Sequence, residues 1–384
     1  MVAGLVPLLP RSLAARCVAS QLLRRTPITS IKMLNGEDAM AERISVNQYN
    51  KSAIIVDRES CYRSSPPLAL NLSLVSEKWR NTWIRILGRH QAVLPQGHLC
   101  SIKNATVFSQ GAILTPNGKL IEETLPATPL DAPNGEVQHV DGHVALLRKP
   151  GDNNYGHWLI ELLPRVREFR AIFGRNLRFA VPGNPLSMRK MRLDGLAWLG
   201  VEASDILWLS NEPTMFDEVS FITTNSIHSH THDFSGVRDV VRHATHGKEF
   251  GKGRRLYVGR PDTLRRGMTN ESEIKSLFEK AGFETVVPSE ALSAADQVEL
   301  FRSADVIAGV TGAALTNLIW MKPGAQVLSL NPNLGYEFFF WDLANIMDVR
   351  FSLIFGDKTE EEKGVHSDFT IDPILVKNWI NTFK

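Results

Sequence analysis

Cysteine is scarce in this chain, and its placement excludes two common kinds of site. The 384 residues include three cysteines, Cys17, Cys61 and Cys100, which lie far apart and form no Cys-x-x-Cys pair. This pattern matches neither a zinc site nor a disulfide framework. Because unpaired cysteines are typical of a reducing compartment, we expect a cytoplasmic protein.

A strong excess of charge of one sign is also missing. The 43 Lys and Arg residues nearly balance the 41 Asp and Glu residues, which leaves a formal net charge of +2. Nucleic-acid-binding domains usually carry a clustered basic excess, so we expect no nucleic-acid partner. No window reaches the roughly 18 to 20 unbroken apolar residues that a membrane span requires. An Asp-x-Asp sequence, which could hold a divalent cation against a diphosphate, is absent as well.

The first 40 residues form a basic amino-terminal arm. Its first 27 residues include four arginines and no acidic residue. Pro7 and Pro10 interrupt the apolar stretch and no charge precedes it, so the pattern does not fit a secretory signal. We interpret the segment from Leu13 to Leu23 as a basic amphipathic stretch in peripheral contact with the inner face of a membrane. The alternative is a mobile arm without such a role.

Length and composition favour two domains after the arm. With 43% hydrophobic and 22% charged residues, the chain can bury two cores. We place an N-terminal α/β domain at residues 41–245 and a C-terminal one at residues 254–384, separated by a Gly- and Lys-rich stretch that ends at Gly253. The helix from Pro373 to Phe383 is expected to pack back onto the first domain.

Residues 254–330 alternate short apolar strands with helical segments, the pattern of a parallel, doubly wound sheet. Asn270 begins one helix and forms a predicted capping box with Glu273, and Ser293 with Asp296 begins the next. Such sheets bind ligands at the carboxyl ends of their strands. Two motifs at such ends are candidate ligand contacts: Arg260, Arg265 and Arg266 after the first strand, and Thr311, Gly312 and Ala313 after a later one.

These motifs do not fit the commoner nucleotide-binding loops. Gly251-Lys-Gly253 precedes its strand and lacks a third glycine, which excludes a dinucleotide fingerprint, and no lysine follows Gly312 as a P-loop requires. A turn without bulky side chains at Gly312 and Ala313 would let backbone amides approach an anion, with the arginines supplying charge. The alternative is that Gly312 only lets a helix pack closely on the sheet.

A second constellation lies between Asn153 and Arg165. A turn leads into a predicted helix on which His157 and Glu161, four residues apart, share one face and can act on one ligand. Trp158 would point elsewhere, into the core. The alternative is structural, with Asn154 as a helix cap and Glu161 as a solvated charge.

Alternating histidines at His228, His230 and His232 form a third candidate. Such histidines share a strand face and are suitable ligands for zinc, copper or iron. The segment follows a strand and precedes the Gly- and Lys-rich stretch between the two domains. We therefore favour a loop that lines the space between the domains over a metal site.

Together the motifs resemble those of glycosyltransferase family 61, of the bacterial capsular-polysaccharide type. The resemblance extends over residues 152 to 330 and rests on Asn154-Tyr-Gly-His-Trp158, Glu161-Leu-Leu-Pro-Arg165, Tyr257-Val-Gly-Arg260, Arg265-Arg266, Asn270, Gln297, Ala304, Gly309, Gly312-Ala313, Leu315-Thr-Asn317 and Pro323-Gly324. It implies a GT-B fold, in which two Rossmann-like domains face each other across a cleft. It also implies a nucleoside diphosphate sugar as donor, no cofactor and no metal ion.

The resemblance further implies an inverting single displacement with one general base. Glu161 is our first choice for the base, and His157 is the alternative or orients the acceptor. Asn154, Tyr155 and Trp158 are expected on the acceptor side. The expected donor contacts are Arg260, Arg265, Arg266, Thr311, Gly312 and Ala313 at the diphosphate, and Gln297 and Asn317 at the nucleoside or sugar.

The predicted function is transfer of a sugar to a glycan or lipid-linked glycan in surface or capsular polysaccharide biosynthesis. Thr311 stands where many members of the family have a histidine, and a threonine can hydrogen-bond a phosphate but cannot protonate it. Two alternatives therefore stay open. One is an inactive glycan-binding or scaffold protein of the same fold, and the other is a nucleotide-sugar epimerase.

Overall fold

The computed structural model describes most of the chain after residue 97. The described residues are 97–126, 130, 136–223, 234–260, 267–288, 292–332, 339–360 and 367–383, and, before residue 97, 23–26, 43–45, 54–56, 61–63, 68–75, 77, 80, 81, 84 and 91–93. The predicted contacts Arg265 and Arg266 and the histidines His228, His230 and His232 lie outside them.

The described residues form twenty strands and eight α-helices. The strands are β1 (Leu23–Thr26), β2 (Arg43–Ile44), β3 (Ile54–Val56), β4 (Cys61–Arg63), β5 (Leu68–Ala69), β6 (Gln91–Val93), β7 (Gly97–Phe108), β8 (Ala112–Leu114), β9 (Leu120–Ile121), β10 (Val137–Leu146), β11 (Arg178–Pro182), β12 (Ile206–Leu209), β13 (Thr214–Ile222), β14 (Arg254–Val258), β15 (Glu284–Val286), β16 (Ala304–Val310), β17 (Gln326–Asn331), β18 (Arg350–Phe355), β19 (Asp357–Lys358) and β20 (Phe369–Thr370). The helices are α1 (Tyr155–His157), α2 (Arg165–Phe173), α3 (Ser187–Trp198), α4 (Phe234–Ala244), α5 (Glu271–Lys280), α6 (Ala294–Arg302), α7 (Phe339–Ile346) and α8 (Pro373–Asn381). A π-helical turn (Trp158–Leu162) joins α1 to α2, and 3₁₀ segments span Leu72–Leu74, Glu122–Thr124, Ala203–Asp205 and Ala313–Trp320.

The larger sheet is mixed and contains ten strands. Its main order is β12-β11-β10-β13-β7-β8-β9-β2, with β1 added at β10 and β3 at β7. Strands β10 to β13 are parallel to their neighbours within that group, whereas β7 pairs antiparallel with β13. The chain leaves the carboxyl end of β10 and reaches α1 within nine residues. The His157 segment therefore starts at the edge where parallel sheets place their ligands.

The second sheet has six strands in the order β15-β14-β16-β17-β18-β5, all parallel. The alternation of strands and helices predicted for residues 254–330 is confirmed, and the chain is an α/β protein. Strand β15 is partly exposed, because it lies at the edge of the sheet. Strand β5 comes from the amino-terminal part, where Asn71 exchanges two hydrogen bonds with the Phe355 backbone, at 2.6 and 2.7 Å. Residues 68–71 thus belong to the second sheet.

The helix starts agree with the sequence, but one cap differs. Ser293 and Asp296 form the expected capping box at α6. Asn270 precedes α5 without capping it, and its amide instead donates to the Ile371 carbonyl at 2.8 Å and accepts from the Ile371 amide at 3.1 Å. The capping box with Glu273 was therefore wrong, because the cap side chain binds a segment 101 residues away.

The carboxyl-terminal helix packs on the second sheet. Trp379 of α8 lies edge-on to Phe278 of α5, with ring centroids 6.4 Å apart, and both belong to a core with Tyr257 of β14. The expectation that this helix returns to the first domain was wrong, because its apolar face is buried against α5. The largest core cluster, in contrast, includes residues from both α/β units, such as Trp158 and Trp320. In the described part of the chain, none of the helices has the length and apolarity to cross a bilayer.

Candidate functional site

The site begins at a helix start that the sequence specifies directly. The side chain of Asn154 accepts hydrogen bonds from the backbone amides of Gly156 at 2.8 Å and His157 at 3.4 Å, so it caps α1, as the structural alternative proposed. The following turn widens into a π-helix, in which the amide of Leu163 donates to the carbonyl of Trp158 at 2.9 Å. Single π-turns of this kind are frequent at functional sites.

Trp158 lies in the hydrophobic core with an exposed fraction of 0%. Its neighbours include Leu163 of the π-turn and Gly195 of α3, where an added Cβ would lie 3.0 Å from Leu163 and 3.6 Å from the indole nitrogen. A glycine at position 195 lets α3 approach the tryptophan closely. The prediction that Trp158 points into the core is confirmed, and its completely enclosed ring does not fit the expected place on the acceptor side.

His157 and Glu161 meet as their spacing predicted, and a lysine joins them. His157 Nδ1 lies 3.2 Å from Glu161 Oε1, and the Nζ of Lys149 forms a salt bridge with Oε2 of the same carboxylate. The side chains of Glu161 and Lys149 are 1% and 4% exposed, whereas that of His157 is 12% exposed. The structural alternative, in which Glu161 is a solvated charge, is therefore wrong, because Glu161 is a buried carboxylate between two nitrogen groups.

The electrostatics keep Glu161 ionised. Burial alone would raise the pKa of this carboxyl, but the contacts with His157 and Lys149 outweigh burial and lower the pKa to about 2. Burial also pulls the pKa of Lys149 down, and Glu161 opposes that pull. A carboxylate with such a low pKa is a weak base at neutral pH.

Further buried charges surround this group. Arg148 Nε lies 3.2 Å from Asp152 Oδ2, and both side chains are almost fully buried. Arg192, which is 0% exposed, donates to the carbonyl of Asp152 at 2.7 Å. Arg165 donates from Nε to the carbonyl of Glu161 at 2.9 Å. The contacts of Arg148 and Arg192 with Asp152 fix the turn between β10 and α1, and the contact of Arg165 with Glu161 fixes the π-helical turn after α1.

The His157 segment docks onto the 3₁₀ segment Ala313–Trp320. A Cβ at Gly156 would lie 2.7 Å from Thr316 Oγ1, so a side chain at position 156 would collide with that segment. The hydroxyl of Tyr155 donates to Asn317 Oδ1 at 2.7 Å. The two motif regions, separated by about 160 residues in sequence, are therefore in direct contact.

Asn317 is the centre of this junction. It is 0% exposed, and its Oδ1 also accepts from Trp320 Nε1 at 3.1 Å while its Nδ2 donates to the Ala314 carbonyl at 3.0 Å. These three hydrogen bonds give Asn317 a structural role, and its predicted contact with the donor stays a prediction. Gln297 is likewise buried on α6, where its amide donates to the Leu292 carbonyl at 3.4 Å.

Arg260 and Gly312 come together at the carboxyl ends of β14 and β16. A Cβ at Gly312 would lie 3.7 Å from Arg260 Nε and 3.8 Å from Cζ, so the guanidinium group rests against the glycine. Behind them, Gly309 lets β16 approach β14, since a Cβ there would lie 2.6 Å from the Val258 carbonyl oxygen. Thr311 is buried and its amide donates to the Leu330 carbonyl at 2.9 Å.

Among the described residues, one group of side chains could hold a metal ion. It consists of His139 and Asp141 on β10 and Asp217 on β13. His139 Nδ1 lies 3.3 Å from Asp141, and His139 Nε2 lies 3.0 Å from Asp217, with both carboxylates about half exposed. Each imidazole nitrogen faces its own carboxylate, an arrangement that ion pairing explains without a metal ion.

Three contributors to the site were not identified from the sequence. Lys149 stands 12 residues before Glu161 and belongs to no recognisable motif, whereas Thr316 lies within the Leu315-Thr-Asn317 motif but was assigned no role of its own. Phe339, at the start of α7, also faces the site, with its ring centroid 6.3 Å from that of His157. For Lys149 the available signal was its position after the carboxyl end of a parallel strand.

A comparison with models of protein families matches residues 155–328 to the family described as Glycosyltransferase 61. The matched range starts at Tyr155 and ends within β17, so it includes both motif regions that the structure brings into contact. No curated protein matches the chain.

Proposed function

Because the chain belongs to glycosyltransferase family 61, we propose that it transfers a sugar from a nucleoside diphosphate sugar to a hydroxyl group of a glycan or lipid-linked glycan. In this proposal the reaction is a single inverting displacement that needs no metal ion. The two α/β units act as the Rossmann-like domains of a GT-B enzyme. The product contributes to a surface polysaccharide, made at the cytoplasmic face of the membrane.

The observation that carries the proposal is the junction between the two motif regions. The segment that holds His157 and Glu161 packs on the 3₁₀ segment that follows the Thr311-Gly312-Ala313 turn. Acid-base side chains and an anion-accepting turn therefore occupy adjoining elements. A glycosyl transfer requires this combination, because a proton must leave the acceptor while charge develops on the diphosphate.

The geometry favours His157 over Glu161 as the general base. Glu161 is buried, bound to Lys149 and has a pKa of about 2, whereas the His157 ring is partly exposed beside it. In the proposed step the acceptor oxygen gives its proton to His157 and bonds to the anomeric carbon. The bond from that carbon to the diphosphate oxygen breaks, and its electron pair leaves with the nucleoside diphosphate. Glu161 holds the ring and stabilises the imidazolium that forms.

Arg260 is the proposed charge for the leaving diphosphate. Its guanidinium group lies against Gly312, where the missing side chain leaves the backbone open to a phosphate. The amides of Gly312 and Ala313 would add hydrogen bonds, and the Thr311 hydroxyl would contribute one where many relatives use a histidine. Arg265 and Arg266 follow Arg260 closely in the chain and are proposed as additional cations.

The proposal is tested by incubating the purified protein with individual nucleoside diphosphate sugars and a panel of oligosaccharide acceptors. We expect a glycosylated product and free nucleoside diphosphate only when an acceptor is present, and NMR should show an inverted anomeric configuration. Conversion of the donor without an acceptor would indicate the epimerase instead. Binding of a glycan without transfer from any donor would indicate the scaffold.

The same assay tests metal independence. The rate should be the same with and without EDTA, because side-chain cations neutralise the leaving group. Loss of activity on chelation, followed by recovery with manganese or magnesium, would contradict this part of the proposal. It would direct attention to His228, His230 and His232 as ligands.

A further inference from the structure

We propose that Lys149 is a positioning residue for the reaction: it holds one oxygen of Glu161, so that the other oxygen fixes the ring of His157 through Nδ1. The inference rests on the proposed role of His157 as the base. Lys149 belongs to no recognisable motif. In this inference Lys149, Glu161 and His157 act as one unit.

The contacts define the unit. Lys149 Nζ binds Glu161 Oε2, and His157 Nδ1 lies 3.2 Å from Glu161 Oε1. A carboxylate that must satisfy two nitrogen groups on opposite oxygens has little freedom to rotate. Glu161 therefore stabilises the tautomer with the proton on Nδ1, and the basic nitrogen of the ring is then Nε2.

Burial explains why the lysine is needed. An ionised carboxylate with a side chain only 1% exposed is costly unless it is paired and hydrogen-bonded. Lys149 supplies a permanent partner, whereas His157 changes its charge during the proposed reaction. Without Lys149, His157 would be the only one of these two partners left to compensate the negative charge of Glu161. The whole of that charge would then act on the imidazole ring.

The other charges near the unit do not replace Lys149. Arg165 and Asp152 both act electrostatically on Lys149, and Asp152 is already paired with Arg148 and faces Arg192. The 3₁₀ segment Ala313–Trp320, on which α1 packs, contains no charged residue. Helix α7, which brings Phe339 to the His157 ring, carries the buried Asp342.

The sign of the effect on His157 follows from these charges. A neighbouring cation disfavours protonation of an imidazole, and a carboxylate favours it. Replacing Lys149 by methionine removes the cation and leaves the carboxylate uncompensated. Both changes favour the protonated ring, so His157 should titrate at higher pH in K149M than in the wild type.

The experiment compares wild type, K149M, K149R and the control K190M, which removes an exposed lysine paired with Asp194 at 3.1 Å. The titration of His157 is followed by ¹⁵N NMR with histidine-labelled protein. We expect its midpoint to rise by about one pH unit in K149M, the size that a close charge typically imposes. K149R and K190M should stay near the wild-type value. An unchanged or lowered midpoint in K149M would overturn the proposal.

Activity gives the second readout. The acidic limb of the profile of kcat against pH should move in K149M in the same direction as the titration, with the KM for the donor unchanged. An equal fall in kcat at every pH, with no displacement of the limb, would indicate a merely structural lysine and refute the positioning role.

If K149M does not fold, the NMR spectra of the wild type still test whether Glu161 holds the His157 ring through Nδ1. These spectra report which ring nitrogen of His157 carries the proton. We expect Nδ1 to be protonated in the neutral ring, and protonation at Nε2 would overturn the inference. These NMR measurements do not depend on turnover. A wild-type protein without transferase activity would therefore contradict the proposed function, while the titration would still test the action of Lys149 on His157.

Discussion

The hydroxyl of Tyr155 donates to Asn317 Oδ1 at 2.7 Å, and this bond connects two elements 162 positions apart in the chain. Trp320 Nε1 donates to the same oxygen at 3.1 Å, so Asn317 receives one donor from the His157 segment and one from its own 3₁₀ segment. The His157 segment and the proposed diphosphate turn are thereby held in one fixed relation.

We expect Y155F to lower the free energy of unfolding by about 1 kcal/mol, the net contribution of one hydrogen bond. N317A should cost roughly 2 to 4 kcal/mol, because it leaves the Tyr155 hydroxyl and the Trp320 indole without their acceptor. Denaturation in urea, followed by tryptophan fluorescence, measures both changes.

Tyr257 provides a matched control. Its hydroxyl donates to Glu271 at 3.2 Å within the second α/β unit, so Y257F removes a similar bond away from the junction. Y257F should lose similar stability to Y155F but keep its transfer rate, whereas Y155F should also lose activity. Equal activity in the two variants would show that the Tyr155 bond does not align the site.

Gly156 allows the closest approach between the two motif regions. In G156A the new Cβ would lie 2.7 Å from Thr316 Oγ1, and relieving such a contact typically costs about 1 to 3 kcal/mol. T316A removes the hydroxyl, which has no hydrogen-bond partner among the described residues, so that change alone should cost little. The double variant should recover part of the stability lost in G156A. Strictly additive effects in urea denaturation would contradict the proposed contact.

The sequence predicted the elements of the site better than their contacts. The contact between His157 and Glu161 follows from their spacing and is present as predicted, and the cap at Asn154, which was the structural alternative, is also a local feature. Strands β14 to β17 of the second sheet could also be predicted, since their apolar runs and turn residues are local signals, whereas β5 and β18 were not predicted. These predictions succeed because the interacting groups are only a few residues apart.

The roles of Trp158, Asn317 and Lys149 depend on contacts between distant segments. The helical spacing placed Trp158 in the core and the family resemblance placed it on the acceptor side, and both environments suit a tryptophan. Similarly, an asparagine after a glycine-rich turn fits both a ligand contact and a structural hydrogen bond. Only the packing of α1 on the 3₁₀ segment shows that Asn317 makes structural hydrogen bonds.

Because of Glu161, the free energy of unfolding should fall as the pH becomes acidic. Its pKa is about 2 in the folded protein against an ordinary value of 4.5, so its ionised form favours folding above pH 4.5, and that contribution is lost as the pH falls toward 2. E161Q leaves Lys149 buried without its carboxylate and should cost about 3 kcal/mol at pH 7.

The difference in unfolding free energy between wild type and E161Q should therefore shrink between pH 5 and pH 3. E279Q is the control, because Glu279 is exposed and pairs with Lys275 only at 3.7 Å. Its effect should stay within about 0.5 kcal/mol. If the difference in unfolding free energy between wild type and E161Q did not change with pH, Glu161 would not be ionised in the folded protein.

Arg260 should contribute to donor affinity without supporting the fold. Because hydrogen bonds to a charged group contribute about 1.5 to 3 kcal/mol, R260A should weaken binding of a nucleoside diphosphate roughly 10- to 100-fold. Isothermal titration calorimetry measures the affinity. R254A is the matched control: Arg254 lies on the same strand and pairs with Glu284 at 2.5 Å on the surface. Equal affinity of R260A and R254A would exclude Arg260 from the donor site.

His157 and Glu161 are separated by the kinetics of their variants. If His157 accepts the acceptor proton, H157A should lower kcat by about 100- to 10,000-fold, the typical contribution of a general base, while donor affinity stays close to normal. E161Q should lower kcat less, because His157 retains both ring nitrogens and loses only its orienting charge. The two variants are compared at saturating donor and acceptor, with folding verified by circular dichroism. If E161Q abolishes transfer and H157A retains most of it, the roles are reversed and the carboxylate is the base in spite of its burial.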